Sequence, residues 1–123
     1  MKQIALVEDN PDNQLLVQVI LQDQYIVRAY DAGAAALAGI EQTPPDLVLL
    51  DISLPEMDGV EVLRRIREHK DLGQLPVIAL TAHAMAGDRE KYLAEGFDGY
   101  VTKPIEDEQI LVAAIEACLR QTS

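Results

Sequence analysis

Pro45-Asp46-Leu47-Val48-Leu49-Leu50-Asp51-Ile52 holds four aliphatic residues in succession, closed by an acid. Apolar residues that follow one another without polar alternation suit a strand buried on both faces, and such strands belong to parallel sheets covered by helices. Comparable runs near Ile4 to Val7, Ile26 to Tyr30, Val77 to Leu80 and Gly99 to Thr102 read as four more strands around the one at Leu47 to Leu50. Between them lie stretches of helical periodicity near Pro11 to Leu21, Ala32 to Gln42, Val60 to His69, Gly87 to Glu95 and Asp107 to Arg120. Pro11 suits a first helical turn, Asp31 an N-cap and Gly96 a C-cap. Strands alternating with helices give five βα units. Right-handed crossovers then leave an α/β, (βα)5 doubly wound sheet of five parallel strands in the order 2-1-3-4-5, with a switch point between the first and third strands.

The 123 residues, 49% of them hydrophobic, suffice for one well-cored domain over 1–123 and are too few for two. Ten basic against twenty-one acidic side chains leave a formal charge of −11, which opposes direct binding to nucleic acid or to an anionic membrane surface. No segment approaches the ~20 apolar residues of a membrane span, and the N-terminus lacks a signal-peptide pattern, so the cytoplasm is the default location. The single cysteine, Cys118, falls on the apolar side of the last helical pattern and reads as a buried, inert thiol.

Glu8 and Asp9 follow the first strand, Asp51 the third and Lys103 the fifth. In a parallel sheet the carboxyl ends of the strands share one edge, so these side chains converge in one crevice at the switch point. Three crowded carboxylates repel one another unless a cation sits among them, and hard oxygen ligands suit Mg²⁺. A lysine facing that cluster calls for an anion other than the three acids. A phosphoryl group bridging metal and lysine satisfies both.

The chain resembles the receiver domains of two-component response regulators. The resemblance is carried by Val-Glu-Asp-Asn at 7–10, the 45–52 run, Leu-Pro-Glu-Met-Asp-Gly at 54–59, Leu-Thr-Ala-His-Ala at 80–84 and Tyr-Val-Thr-Lys-Pro at 100–104. It implies a flavodoxin-like fold and a phosphorelay function: Asp51 takes a phosphoryl group from a phosphohistidine of a histidine kinase or histidine phosphotransfer protein. It further implies that Asp9, Asp51 and the Ser53 backbone carbonyl hold Mg²⁺, with Glu8 acting through a water. Lys103 would pair with one phosphoryl oxygen, and the Thr81 hydroxyl would donate to another. Movement of Thr81 would make room for the ring of Tyr100, the family's aromatic switch, and Ser53 and His83 would tune the lifetime of the acyl phosphate. Such a protein catalyses its own phosphorylation and dephosphorylation and is not a turnover enzyme. Taken singly, each acid could be a helix cap, Lys103 a solvated lysine, Thr81 a strand-end threonine bonded to backbone, and Tyr100 a half-buried edge tyrosine.

On the first helix Leu15, Leu16, Val17, Val19, Ile20 and Leu21 cover about 240° of the circumference, more than one core-facing stripe needs. Leu15 and Val19, one turn apart, are therefore candidates for docking a helix of the phosphodonor. Gly59 is expected in the loop that shapes the pocket. A haloacid-dehalogenase-like phosphatase would want a second aspartate where Ser53 stands, and an electron carrier of flavodoxin type would want a Ser/Thr/Gly-rich loop where Glu8-Asp9-Asn10-Pro11-Asp12 stands. The end at Ser123 leaves no output domain, and Met1 directly before the first strand favours a stand-alone regulator that signals to a downstream protein over an excised hybrid-kinase receiver; a monomer is expected.

Overall fold

The computed structural model describes residues 1–54, 56–82, 88–103, 105 and 107–121, with Arg89 and Gln121 as backbone only. The elements alternate strictly: β1 (Lys2–Val7), α1 (Pro11–Leu21), β2 (Tyr25–Tyr30), α2 (Gly33–Gln42), β3 (Leu47–Asp51), α3 (Gly59–Glu68), β4 (Val77–Thr81), α4 (Asp88–Glu95), β5 (Gly99–Thr102) and α5 (Glu108–Gln121). All strand pairs are parallel, and the order is β2-β1-β3-β4-β5. β3 and β4 are buried along their whole length, as their unbroken apolar runs require.

The sheet separates two cores. One packs Ala36 and Ile40 of α2, Val62, Leu63 and Ile66 of α3, and Tyr92 of α4 against Val7, Val48, Leu50 and Ala79. The other packs Val17 and Leu21 of α1 with Leu111, Ile115 and Cys118 of α5 against Ile4, Leu6, Leu49 and Leu80. Cys118 is buried as expected, and that burial raises its thiol pKa.

β3 and β4 run one residue further than the apolar pattern, through Asp51 and Thr81, because the ladder continues: Ile52 N–H donates to Leu80 O (3.0 Å) and Lys103 N–H to Thr81 O (2.7 Å). Asp51 and Thr81 are therefore held by sheet hydrogen bonds and do not sit on free loops. Asn10 caps α1 through its side-chain oxygen, which accepts from the N–H groups of Asp12 (2.8 Å) and Asn13 (3.2 Å). The Asp31 cap does not form. α2 starts at Gly33 with extended Ala32 at the N-cap, which puts Asp31 one residue too early to reach the free N–H groups of the first turn. α3 starts one residue earlier than its pattern because Asp58 caps it, accepting from Glu61 N–H at 2.9 Å. Gly96 does close α4: its φ is +114°, its N–H bonds Leu93 O, and Phe97 N–H reaches back to Tyr92 O.

Candidate functional site

The carboxyl ends of β1, β3 and β5 bring together Glu8, Asp9, Asp51 and Lys103. A carboxylate oxygen from each of Glu8, Asp9 and Asp51 lies within 4.8 Å of the others. Asp9 is exposed, whereas Glu8 and Asp51 are 0% and 2% exposed. Buried carboxylates need partners, and these have them. Ser53 N–H donates to Asp51 Oδ1 at 2.9 Å, and Lys103 Nζ donates to Asp51 Oδ2 at 2.9 Å and to Glu8 Oε1 at 3.2 Å. From α1, Asn13 Nδ2 donates to Glu8 Oε1 at 2.6 Å and Gln14 Nε2 to the Glu8 carbonyl at 2.5 Å.

The two buried acids divide the charge between them. Burial, together with the hydrogen bond to Asp51, raises Glu8 to about 7. Burial also opposes ionisation of Asp51, but hydrogen bonds from the Glu8 carboxyl, the Ser53 N–H and Lys103 outweigh it and hold Asp51 below the ordinary aspartate value. For Lys103, burial favours the neutral amine, and the Asp51 and Glu8 carboxylates outweigh that and raise its pKa. The metal-free pocket thus holds an Asp51 carboxylate beside the Lys103 ammonium and a Glu8 carboxyl that exchanges its proton around neutrality.

This arrangement corrects one expectation. The sequence calls for an anion other than the three acids at Lys103, yet its ammonium already pairs with two of them. It is the cation that the crowded carboxylates demand. The donor set also suits Mg²⁺. It gathers three carboxylates with oxygens within 4.8 Å of one another, all of them the hard donors that this ion takes.

Thr81, buried on the last rung of β4, has its Oγ1 3.0 Å from the hydroxyl of Tyr92 on α4. Tyr100 is half-buried on β5, with its ring 6.2 Å from that of Tyr92. Ser53 is exposed, with its N–H on Asp51 Oδ1, and His83 lies outside the described residues. Leu15 and Val19 stand 61% and 54% exposed on α1, so neighbouring helices do not cover them. Gly59 is buried against the pocket backbone: a Cβ there would lie 2.5 Å from the Asp51 carbonyl oxygen. Asn13, Gln14 and Tyr92 escaped the sequence reading. The amides look like ordinary first-turn polar residues, and Tyr92 looks like a core position of α4.

The description "Response regulator receiver domain" belongs to the family whose sequence profile matches residues 4–116. The sensor histidine kinase GacS of Pseudomonas protegens is 43% identical over 111 residues, a match covering 87% of this chain but 12% of that protein. The chain thus spans about an eighth of the length of such relatives. The polar-differentiation response regulator DivK of Brucella ovis is 38% identical over 105 residues, covering 85% of each chain. Among solved structures, the receiver domain of sensor histidine kinase PA1611 from Pseudomonas aeruginosa superposes with a TM-score of 0.86 at 35% identity, covering 96% of this chain and 97% of that one. That structure has a magnesium ion coordinated in its active site cleft.

Proposed function

This chain belongs to the response regulator receiver domain family, and from that premise we propose that Asp51 accepts a phosphoryl group from the phosphohistidine of a histidine kinase or histidine phosphotransfer protein. The observation that carries the reading is Asp51 itself, a carboxylate 2% exposed yet kept ionised by the Ser53 N–H and Lys103 at the shared edge of the strands. A buried carboxylate maintained in its charged form is a nucleophile in waiting.

An Asp51 oxygen attacks phosphorus in line, its bond to the phosphohistidine nitrogen breaks, and the electron pair leaves with the imidazole. The product is an acyl phosphate on Asp51. Mg²⁺ held by Asp9, Asp51 and the Ser53 carbonyl, with Glu8 through a water, would neutralise the acids as the incoming dianion arrives. Lys103 transfers its pairing from the acids to a phosphoryl oxygen, and the Thr81 hydroxyl donates to another. Thr81 and Tyr100 then shift the population of the α4–β5 face towards a form read by a downstream protein. Ser53 and His83 set the lifetime by their contact with the attacking water. Leu15 and Val19 receive a helix of the phosphodonor. The domain acts as a cytoplasmic monomer, with no nucleic acid or membrane partner. It catalyses its own phosphorylation and hydrolysis and turns over no other substrate. Among the described residues no helix is long and apolar enough to cross a membrane.

Intact-mass measurement after incubation with a phosphorylated kinase tests this. The wild type should gain one phosphate when Mg²⁺ is present and none in excess EDTA, and Asp51→Asn should gain none. A full adduct on Asp51→Asn, or equal labelling in EDTA, sinks the reading.

A further inference from the structure

The Thr81 hydroxyl meets the Tyr92 hydroxyl at 3.0 Å inside the core that α2, α3 and α4 share with the sheet. Tyr92 has little freedom there. It is 6% exposed, its ring meets Phe97 edge-on at 6.0 Å and 87°, and Tyr100 lies 6.2 Å away at a 44° tilt. The Thr81 backbone is equally fixed, since its carbonyl accepts from Lys103 N–H and it pairs with Thr102 on β5. Only the χ1 rotamer of Thr81 can move its hydroxyl, among three staggered wells.

We infer that Tyr92 is a positioning residue for the acceptor site: its phenol latches the Thr81 hydroxyl in the resting protein, and this latch must open before Thr81 can serve a phosphoryl group on Asp51. The inference rests on the reading of Asp51 as the acceptor. A phosphoryl oxygen only accepts hydrogen bonds, so the one hydroxyl proton of Thr81 must point to it. If Thr81 donates to Tyr92, that proton has to be withdrawn. If Tyr92 donates, Thr81 remains tethered to α4, and the clamped phenol cannot follow it towards β3. In both cases the bond between them is given up on activation. Because Tyr92 also stands beside Tyr100, release of the latch is felt where the aromatic switch sits.

Tyr92→Phe removes the hydroxyl and keeps the ring. Beryllofluoride, a phosphoryl analogue, is titrated in the presence of Mg²⁺. One buried hydrogen bond corresponds to about two- to ten-fold in an equilibrium, so Tyr92→Phe should bind the analogue tighter by that factor at unchanged Mg²⁺ affinity. On a Thr81→Val background the same substitution should have no effect, because the latch has already lost its other half. Unchanged or weaker binding in Tyr92→Phe, or equal tightening on the Thr81→Val background, overturns the latch. A second measurement uses the wild type alone: with ring-labelled tyrosine, the carbon resonances of Tyr92 should shift when Mg²⁺ and beryllofluoride are added. A Tyr92 signal that stays put while that of Tyr100 moves is equally fatal. If the wild type fails to bind beryllofluoride with Mg²⁺ at all, the reading of Asp51 as acceptor fails, and the inference fails with it.

Discussion

Glu8 and Asp51 sit side by side in one pocket with pKa values moved in opposite directions, and that difference makes the metal-free protein sensitive to pH. Folding raises Glu8 from 4.5 to about 7, so the folded state holds that proton more tightly than the unfolded chain does. The stability this contributes is complete below about pH 4.5 and is lost as pH rises through about 7. Asp51 runs the other way: its folded value is depressed, so its contribution is present above the ordinary aspartate value and lost as pH falls through the folded one. In EDTA, the stability of the wild type relative to Glu8→Gln should therefore decline between pH 5 and pH 8, while Mg²⁺ affinity climbs as Glu8 ionises. Urea midpoints of the two proteins across that range check it, and a flat difference would contradict it. Lys103 is a second case. Its two resting carboxylate partners give it a part in folding as well as in the chemistry. Lys103→Ala should lower metal-free stability by about 3–5 kcal/mol, since a buried charge loses its partner. Saturating Mg²⁺ should restore part of that loss. Equal urea midpoints for wild type and variant in EDTA would return Lys103 to a purely chemical role.

The elements deliver these side chains to their places, and the entry to α3 shows how tightly. The Gly59 N–H donates to Ile52 O at 3.0 Å, so the first turn of α3 presses on the backbone just after Asp51. A Cβ on Gly59 would lie 2.5 Å from Asp51 O and 2.8 Å from Ile52 Cα, both backbone atoms that cannot swing aside. At Gly33 the tightest contact, 2.7 Å, is to Cγ2 of the Val62 side chain and not to backbone beside Asp51. Gly59→Ala should therefore cost about 1–3 kcal/mol and displace Asp51 enough to slow phosphorylation at least ten-fold, whereas Gly33→Ala should be milder on both counts. Thermal unfolding and phosphorylation rates of the two variants make the comparison; equal effects would show that the α3 turn is not what positions Asp51. At the opposite end of the sheet Arg67 ties α3 to the start of β4 and the α4–β5 turn, donating to Leu75 O, Gly73 O and Gly96 O and pairing with Asp98. Asp98 in turn accepts from Val77 N–H at 2.9 Å. No pattern in the sequence marks that link, because its acceptors are mostly backbone carbonyls.

For the molecule as a whole, surplus apolar surface and charge matter most. α5 and the sheet cover Val17 and Leu21 of α1 but leave Leu15, Leu16 and Val19 in solvent on a chain of net charge −11. An apolar patch beside the pocket of an acidic protein suits a partner that buries it without relying on opposite charge alone. Leu15→Ala combined with Val19→Ala should slow phosphotransfer from a cognate kinase or phosphotransfer protein at least ten-fold. Phosphorylation by acetyl phosphate and the unfolding midpoint should barely change, since neither side chain is buried. Equal losses with both donors would move the docking surface elsewhere.

Short apolar runs alternating with helical stretches were enough to lay out the strands, their parallel packing and, with the handedness of crossovers, the order 2-1-3-4-5, because burial and chirality act on any chain of this pattern. The same runs located Glu8, Asp9, Asp51 and Lys103 at one edge, since strand ends share an edge whatever the loops do. The excess of apolar residues on α1 also foretold that some would stay exposed. Helix entry was less legible: Asp31 and Asp58 look alike as caps, and which one reaches free N–H groups depends on where the preceding turn lets the helix begin. Contacts between distant segments were decided only in three dimensions. Lys103 finds Glu8 ninety-five residues away, Arg67 gathers three carbonyls from two loops, and the Tyr92 hydroxyl meets that of Thr81. Pairings of that kind depend on ångström-scale distances between elements, which packing sets and periodicity does not encode.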